Sequence, residues 1–145
     1  MQDLPHIYRV AASVEGAANV TISADKLPDI ETAGPPEFGG PGDVWSPETL
    51  LVGAVANCFI LSFRAIARTA RLDWLTLTCE SEGKLEKIEK FNQFTGFTVT
   101  ATLTVPPGTN EKKAHTILEK AEKYCLITNS MKGDSHLEAE VIVAD

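Results

Sequence analysis

Basic residues are scarce in this chain, with 13 lysines and arginines against 20 acidic residues and a formal net charge of −7. Neutralising phosphates requires a basic face, so the balance argues against a nucleic-acid partner; the excess acid reads as solvated surface. No apolar run reaches the roughly 20 residues that cross a bilayer. The longest, Leu50 to Phe63, is broken by Asn57, and no membrane association is expected. The opening MQDLPHIYRV carries an acid and a proline and has no basic start before an apolar stretch. No secretory signal is therefore expected, and the default location is cytoplasmic. In that compartment three cysteines do not form a structural disulfide framework; a pair that bonds does so for redox chemistry. His6, His115 and His136 lack ligand spacing, so no metal site is expected from them. The glycine-proline segment Gly34 to Gly42 lacks a P-loop lysine and does not follow G-x-G-x-x-G, which argues against a phosphate cradle. Repeats and low-complexity tracts are absent.

The 145 residues, 43% hydrophobic and 23% charged, suit one soluble globular domain over 1–145. HIYRVAASV and NVTIS predict two short strands around Glu15 to Ala18. From Leu27 to Val44, proline and glycine specify turns, and the segment reads as an ordered crossing loop. Phe38 and Trp45 flank the glycine-proline stretch, either packing there or walling a pocket. Ser46-Pro47-Glu48 then starts a helix: serine caps, proline fits the first helical position, and glutamate suits the positive end of the dipole. This helix should reach about Arg71, and its first half, LLVGAVANCFIL, is apolar nearly all round, the mark of a buried helix.

Leu75, Leu77 and Cys79 alternate with polar residues, and FTGFTVTATLTV alternates more clearly, which predicts two further strands. Thr109 or Asn110 can cap a second helix, with Ala114, Ile117, Leu118, Ala121 and Cys125 on its apolar face. Leu137 to Val143 alternates as a last strand. The order ββ-α-ββ-α-β indicates an α+β fold, largely antiparallel, with two long helices.

Cys79, in phase with Leu75 and Leu77, reads as a small core hydrophobe. Taken singly, Cys58 and Cys125 could also be core. Taken together, two helix-borne thiols in a reducing compartment point to reversible chemistry, provided their Cα atoms come within about 4.4–6.8 Å.

The stretch GDVWSPETLLVGAVANCFILSF, with Ser46, Pro47, Glu48, Cys58 and Phe59, resembles the central helix of the OsmC/Ohr family (osmotically inducible protein C and organic hydroperoxide resistance protein). AEKYCLITNS, around Cys125, resembles that family's second signature, and the order of elements agrees over nearly the whole chain. The resemblance implies an intertwined homodimer with sites at the subunit interface and a thiol peroxidase acting on organic hydroperoxides, with no metal or organic cofactor required. By that likeness Cys58 attacks the peroxide, Cys125 resolves the sulfenic acid as a disulfide, and an external dithiol reduces the pair. The apolar neighbours of Cys58 suit an alkyl or lipid hydroperoxide.

The reactive thiol must be ionised, and Cys58 lies about 18 Å along the helix from Ser46, beyond the reach of the helix dipole. The resemblance implies an arginine from the amino-terminal region, paired with the glutamate at Glu48. Between Val10 and Val44 there is no arginine, and Lys26 is the only basic residue. Arg9 and Arg64 do not match that arginine's place. The chain is thus a slow peroxidase, a peroxidase that uses Arg9 or Lys26, or a protein with another role. Two such roles are a non-enzymatic binder of a small apolar ligand and a thiol redox sensor. Glu48, about 15 Å from Cys58 along a straight helix, either serves through a break near Gly53 or serves the Cys58 of a second subunit. As a simple helix-terminal charge it would be worth roughly 0.3–1 kcal/mol.

Overall fold

A computed structural model describes all of residues 1–145. The chain divides into two compact units, Met1–Leu50 and Leu51–Asp145.

The first unit holds three short strands, β1 (Ala11–Ser13), β2 (Val20–Ser23) and β3 (Ile30–Thr32), in an antiparallel sheet of that order. The β1–β2 turn closes through the Ala18 amide on the Glu15 carbonyl, with Gly16 at a φ of 55°. The first strand is shorter than the alternation of His6 to Val14 predicts. The third strand lies inside the segment read as loop. Its three residues are too few for a periodic signal, and it is fixed by pairing with Thr21 and Ile22. The glycine-proline stretch is ordered: one 3-10 turn spans Pro36–Phe38, and Thr32 bridges Trp45 in parallel. This return delivers the chain to the first long helix, α1 (Pro47–Ala70).

The start of α1 is sealed by a reciprocal pair. The Thr49 amide donates to Ser46 Oγ at 3.1 Å, and the Ser46 amide donates to Thr49 Oγ1 at 2.9 Å. Two otherwise unpaired helix-end donors are satisfied at the position the sequence indicated. The helix runs 24 residues without a break at Gly53. By length and composition alone it could cross a membrane, with mean hydropathy 1.9 in its best 18-residue window. Val55, Phe59, Phe63 and Ala67, spaced four apart, are buried against the sheet of the second unit, but only 22% of that window is buried, so the all-round burial its composition predicts is not met within one chain.

That sheet contains β4 (Thr76–Ile88), β5 (Phe91–Val105) and β6 (Asp134–Val143), with β5 central. Phe97, Val99, Ala101, Leu103 and Val105 of β5 are all buried; alternate residues from Gly83 to Leu77 of β4 pair with the first four, and alternate residues from Ser135 to Val143 of β6 pair with all five. A second helix, α2 (Glu111–Lys123), adds Ala114, Ile117, Leu118 and Ala121 to this core. Asn110 caps it, accepting from the Lys113 amide at 3.1 Å. The β4–β5 pair is antiparallel, whereas β5–β6 is parallel. Alternation cannot distinguish the two arrangements. The cause is α2, a helical crossover that returns the chain in the same direction.

Two β4 side chains tie α1 to the sheet: Ser81 Oγ donates to the Val52 carbonyl at 2.6 Å, and the Cys79 thiol donates to the Ala56 carbonyl at 3.6 Å. Cys79 is thus half-buried beneath the helix, where desolvation raises its pKa.

Candidate functional site

Cys58 lies on α1 one position before Phe59, which is turned into the core. Cys58 is half-buried, and its neighbours Asn57 and Leu61 are exposed. This thiol is therefore at the boundary between the core and an open helix face.

Cys125 is not on the apolar face of α2, as the spacing predicted. That helix ends at Lys123, and Tyr124 leaves helical geometry. Cys125 has extended backbone at the N-cap of a one-turn helix, α3 (Leu126–Asn129). Its carbonyl accepts from the Asn129 amide at 3.0 Å and from Thr128 Oγ1 at 3.2 Å. Periodicity failed here because Leu118, Ala121 and Cys125 continue one stripe straight through the bend. The Cys125 side chain is 2% exposed. It lines a cavity too narrow for water, together with Val55, Phe59, Val99, Glu122, Thr128 and Ser135.

The two sequence-distant thiols are neighbours, each shifting the ionisation of the other. Burial raises the Cys58 pKa, but it is outweighed by the Ile127 amide, the Cys125 thiol, the Ser62 hydroxyl and the Leu126 amide. The net pKa lies below the ordinary value. Among these groups only Ser62 is hydrogen-bonded to the neutral thiol, 3.9 Å from Sγ, where either group can donate; the others favour the anion. Cys125 shifts the opposite way. Burial raises it first, and the neighbouring Cys58 raises it further, against lowering by the Thr128 amide and hydroxyl. One thiol is poised to ionise while its partner is held protonated.

The sequence required a cation for this task. None is among the groups that lower Cys58, and Arg9, Lys26 and Arg64 are exposed. The Leu126 and Ile127 amides, in the first turn of α3, are among the groups that lower it. Leu126, Ile127 and Ser62 are the contributors that sequence reasoning missed. A polar serine inside CFILSF, four residues beyond Cys58, was the one available signal.

Glu48 is not brought to Cys58 within α1: ten residues of unbroken helix separate them by about 15 Å. The break near Gly53 is therefore excluded. Glu48 Oε1 is buried with no hydrogen-bond partner. Phe38 and Trp45 are both largely exposed, so neither packs in a core of this chain. Trp45 lines a shallow concavity of about 300 Å³ with Gly42, Asp43, Val44 and Thr49. No three His, Cys, Asp or Glu side chains converge as metal ligands.

Comparison with known proteins agrees with this architecture. The family model for OsmC-like proteins matches residues 40–140, which include both cysteines. An uncharacterised Bacillus subtilis protein, YmaD, is 27% identical over 112 residues, 75% of each chain. An organic hydroperoxide resistance protein of Xanthomonas axonopodis pv. citri is 28% identical over 127 residues, 86% of each. The solved structure of an OsmC-like protein of unknown function from Vibrio cholerae superposes with a TM-score of 0.85, over 94% of this chain and all of that one. At 18% identity, that likeness speaks for the fold alone. The chain belongs to the family of OsmC-like proteins.

Proposed function

We propose that this chain is a cytoplasmic thiol peroxidase of organic hydroperoxides, working through Cys58 and Cys125 in a homodimer. The observation that carries the proposal is the neighbouring pair with opposite shifts, Cys58 toward thiolate and Cys125 toward thiol. The Cys58 thiolate attacks the terminal, hydrogen-bearing oxygen of the hydroperoxide; the O–O bond breaks, and the alkoxide leaves and takes a proton as the alcohol. The Cys58 sulfenic acid then condenses with the Cys125 thiol, forming the S–S bond and releasing water. An external dithiol returns the pair to thiols by exchange. The name of the Xanthomonas relative, at 28% identity, supports the same chemistry.

Two features support a homodimer. Only 22% of the most apolar window of α1 is buried within one chain, and β1 is exposed at every residue. A second copy would cover both, leaving the open side of Cys58 as an apolar entrance suited to an alkyl hydroperoxide. Glu48 acts in this proposal across the subunit interface. The lowered pKa of Cys58 favours this reading over the non-enzymatic binder, which needs no ionised thiol.

The test is consumption of an alkyl hydroperoxide against hydrogen peroxide, with a small dithiol as reductant. Turnover should favour the alkyl substrate and vanish in Cys58→Ser. Wild-type rates no higher than those of that variant would overturn the proposal.

A further inference from the structure

A serine or threonine hydroxyl within a helix ordinarily turns back to the carbonyl four residues earlier. Thr69 of α1 does so, donating to the Ala65 carbonyl at 3.2 Å, and Thr116 of α2 donates to that of Lys112 at 3.0 Å. Ser62 behaves differently. Its hydroxyl is 3.9 Å from Cys58 Sγ, its one hydrogen-bond partner, and does not turn back to the Cys58 carbonyl. Ser62 is half-buried between Leu61 and Phe63, in a run where every other position from Phe59 to Phe63 is apolar.

The spacing makes this contact a property of one helix. Residues four apart stand one above the other, so the hydroxyl is held over the sulfur by α1 itself. Between the neutral groups either can donate across the 3.9 Å; a thiolate can only accept, and accepts far more strongly than a thiol, so ionisation of Cys58 makes Ser62 the donor. We propose that Ser62 is a catalytic residue of this centre, donating its hydroxyl hydrogen bond to the Cys58 thiolate and so taking over part of the work of the unmatched cation. The inference rests on the reading of Cys58 as the attacking thiol. The other groups acting on that sulfur are the Cys125 thiol, which is the only titratable one, and the Leu126 and Ile127 amides.

The experiment follows the rate of Cys58 alkylation by iodoacetamide against pH in the reduced full-length protein, read on the Cys58 peptide by mass spectrometry. Wild type is compared with Ser62→Ala and Ser62→Thr. Alanine is the most favourable helical residue, so the helix itself is preserved. Ser62→Ala should slow alkylation at neutral pH roughly threefold to tenfold and move the midpoint of the profile upward. Ser62→Thr, which keeps the hydroxyl, should recover most of the loss. A Ser62→Ala profile that superimposes on wild type, or a threonine variant that behaves like alanine, would overturn the proposal. Hydroperoxide turnover is measured on the same samples. A shifted alkylation profile in a protein that consumes no hydroperoxide would sink the peroxidase reading and leave the thiolate bond standing; an unshifted profile in an active enzyme would sink Ser62 alone.

Discussion

Cys58 and Cys125 are neighbours, and their interaction moves the two pKa values apart, lowering that of Cys58 and raising that of Cys125. A donor facing an anion stabilises the anion and is itself made harder to deprotonate. The pair thus has an assigned order, Cys58 ionising first. Under brief alkylation at neutral pH, label should accumulate on Cys58 well before Cys125. Cys58→Ser should remove the fast phase. Cys125→Ser should keep it to within about tenfold, because only one of several donors is changed. Peptide mapping of the alkylated protein reads this directly; fast labelling at Cys125 would contradict the order.

Stability should follow the same shifts. The folded pKa of Cys58 is below 9.0, its ordinary value, so between the two the unfolded chain binds more protons than the folded one, and stability rises with pH across that window. Cys79 and Cys125 are raised above 9.0, so beyond that pH the unfolded chain ionises first and stability falls. Urea midpoints of the reduced protein, each compared with a single variant, separate the limbs. Cys58→Ser should flatten the rising side relative to wild type, and Cys79→Ala should soften the decline at high pH. A wild-type rise that survives Cys58→Ser would show that another group is responsible.

The sequence disclosed what periodicity and capping can express. Ser46-Pro47-Glu48 located the start of α1, the alternation from Phe97 to Val105 located the central strand, and Asn110 was among two candidates for the α2 cap. It missed what depends on distant partners. Ile30–Thr32 becomes a strand only because β2 lies beside it, and the parallel β5–β6 pairing depends on where α2 carries the chain. At the site, both cysteines were legible as residue types at motif spacing. The means of ionising one of them was not, because the Leu126 and Ile127 donors are backbone amides and carry no side-chain signature.

Gly83 offers a test of how α1 is seated. It faces the helix from β4, and a Cβ there would stand 2.7 Å from Val52 Cγ2 and 3.0 Å from Phe94 Cε1. Those contacts are shorter than van der Waals separation, so Gly83→Ala must push the helix or rotate Phe94. Overpacking of this kind costs about 1–3 kcal/mol. Chemical denaturation of the reduced protein should show a loss in that range, and Gly83→Ala combined with Val52→Ala should recover much of it. A neutral Gly83→Ala would mean that α1 lies more loosely on the sheet than these distances describe.

Glu48 supplies the last test, of whether the site is built from two chains. Its Oε1 is buried without a hydrogen-bond donor, which is costly for a carboxylate unless something outside its own chain meets it. The unbroken α1 keeps it about 15 Å from the Cys58 of the same chain. If Glu48 serves the Cys58 of a second copy, Glu48→Ala and Cys58→Ser should each abolish or cut turnover at least tenfold as homodimers. Mixed after co-refolding, they should complement. The Cys58 of the Glu48→Ala chain then meets an intact Glu48, and random pairing of a two-fold dimer restores up to about a quarter of wild-type activity. A mixture no more active than its components would place Glu48 outside the neighbouring site and reduce it to a charge at the end of its own helix.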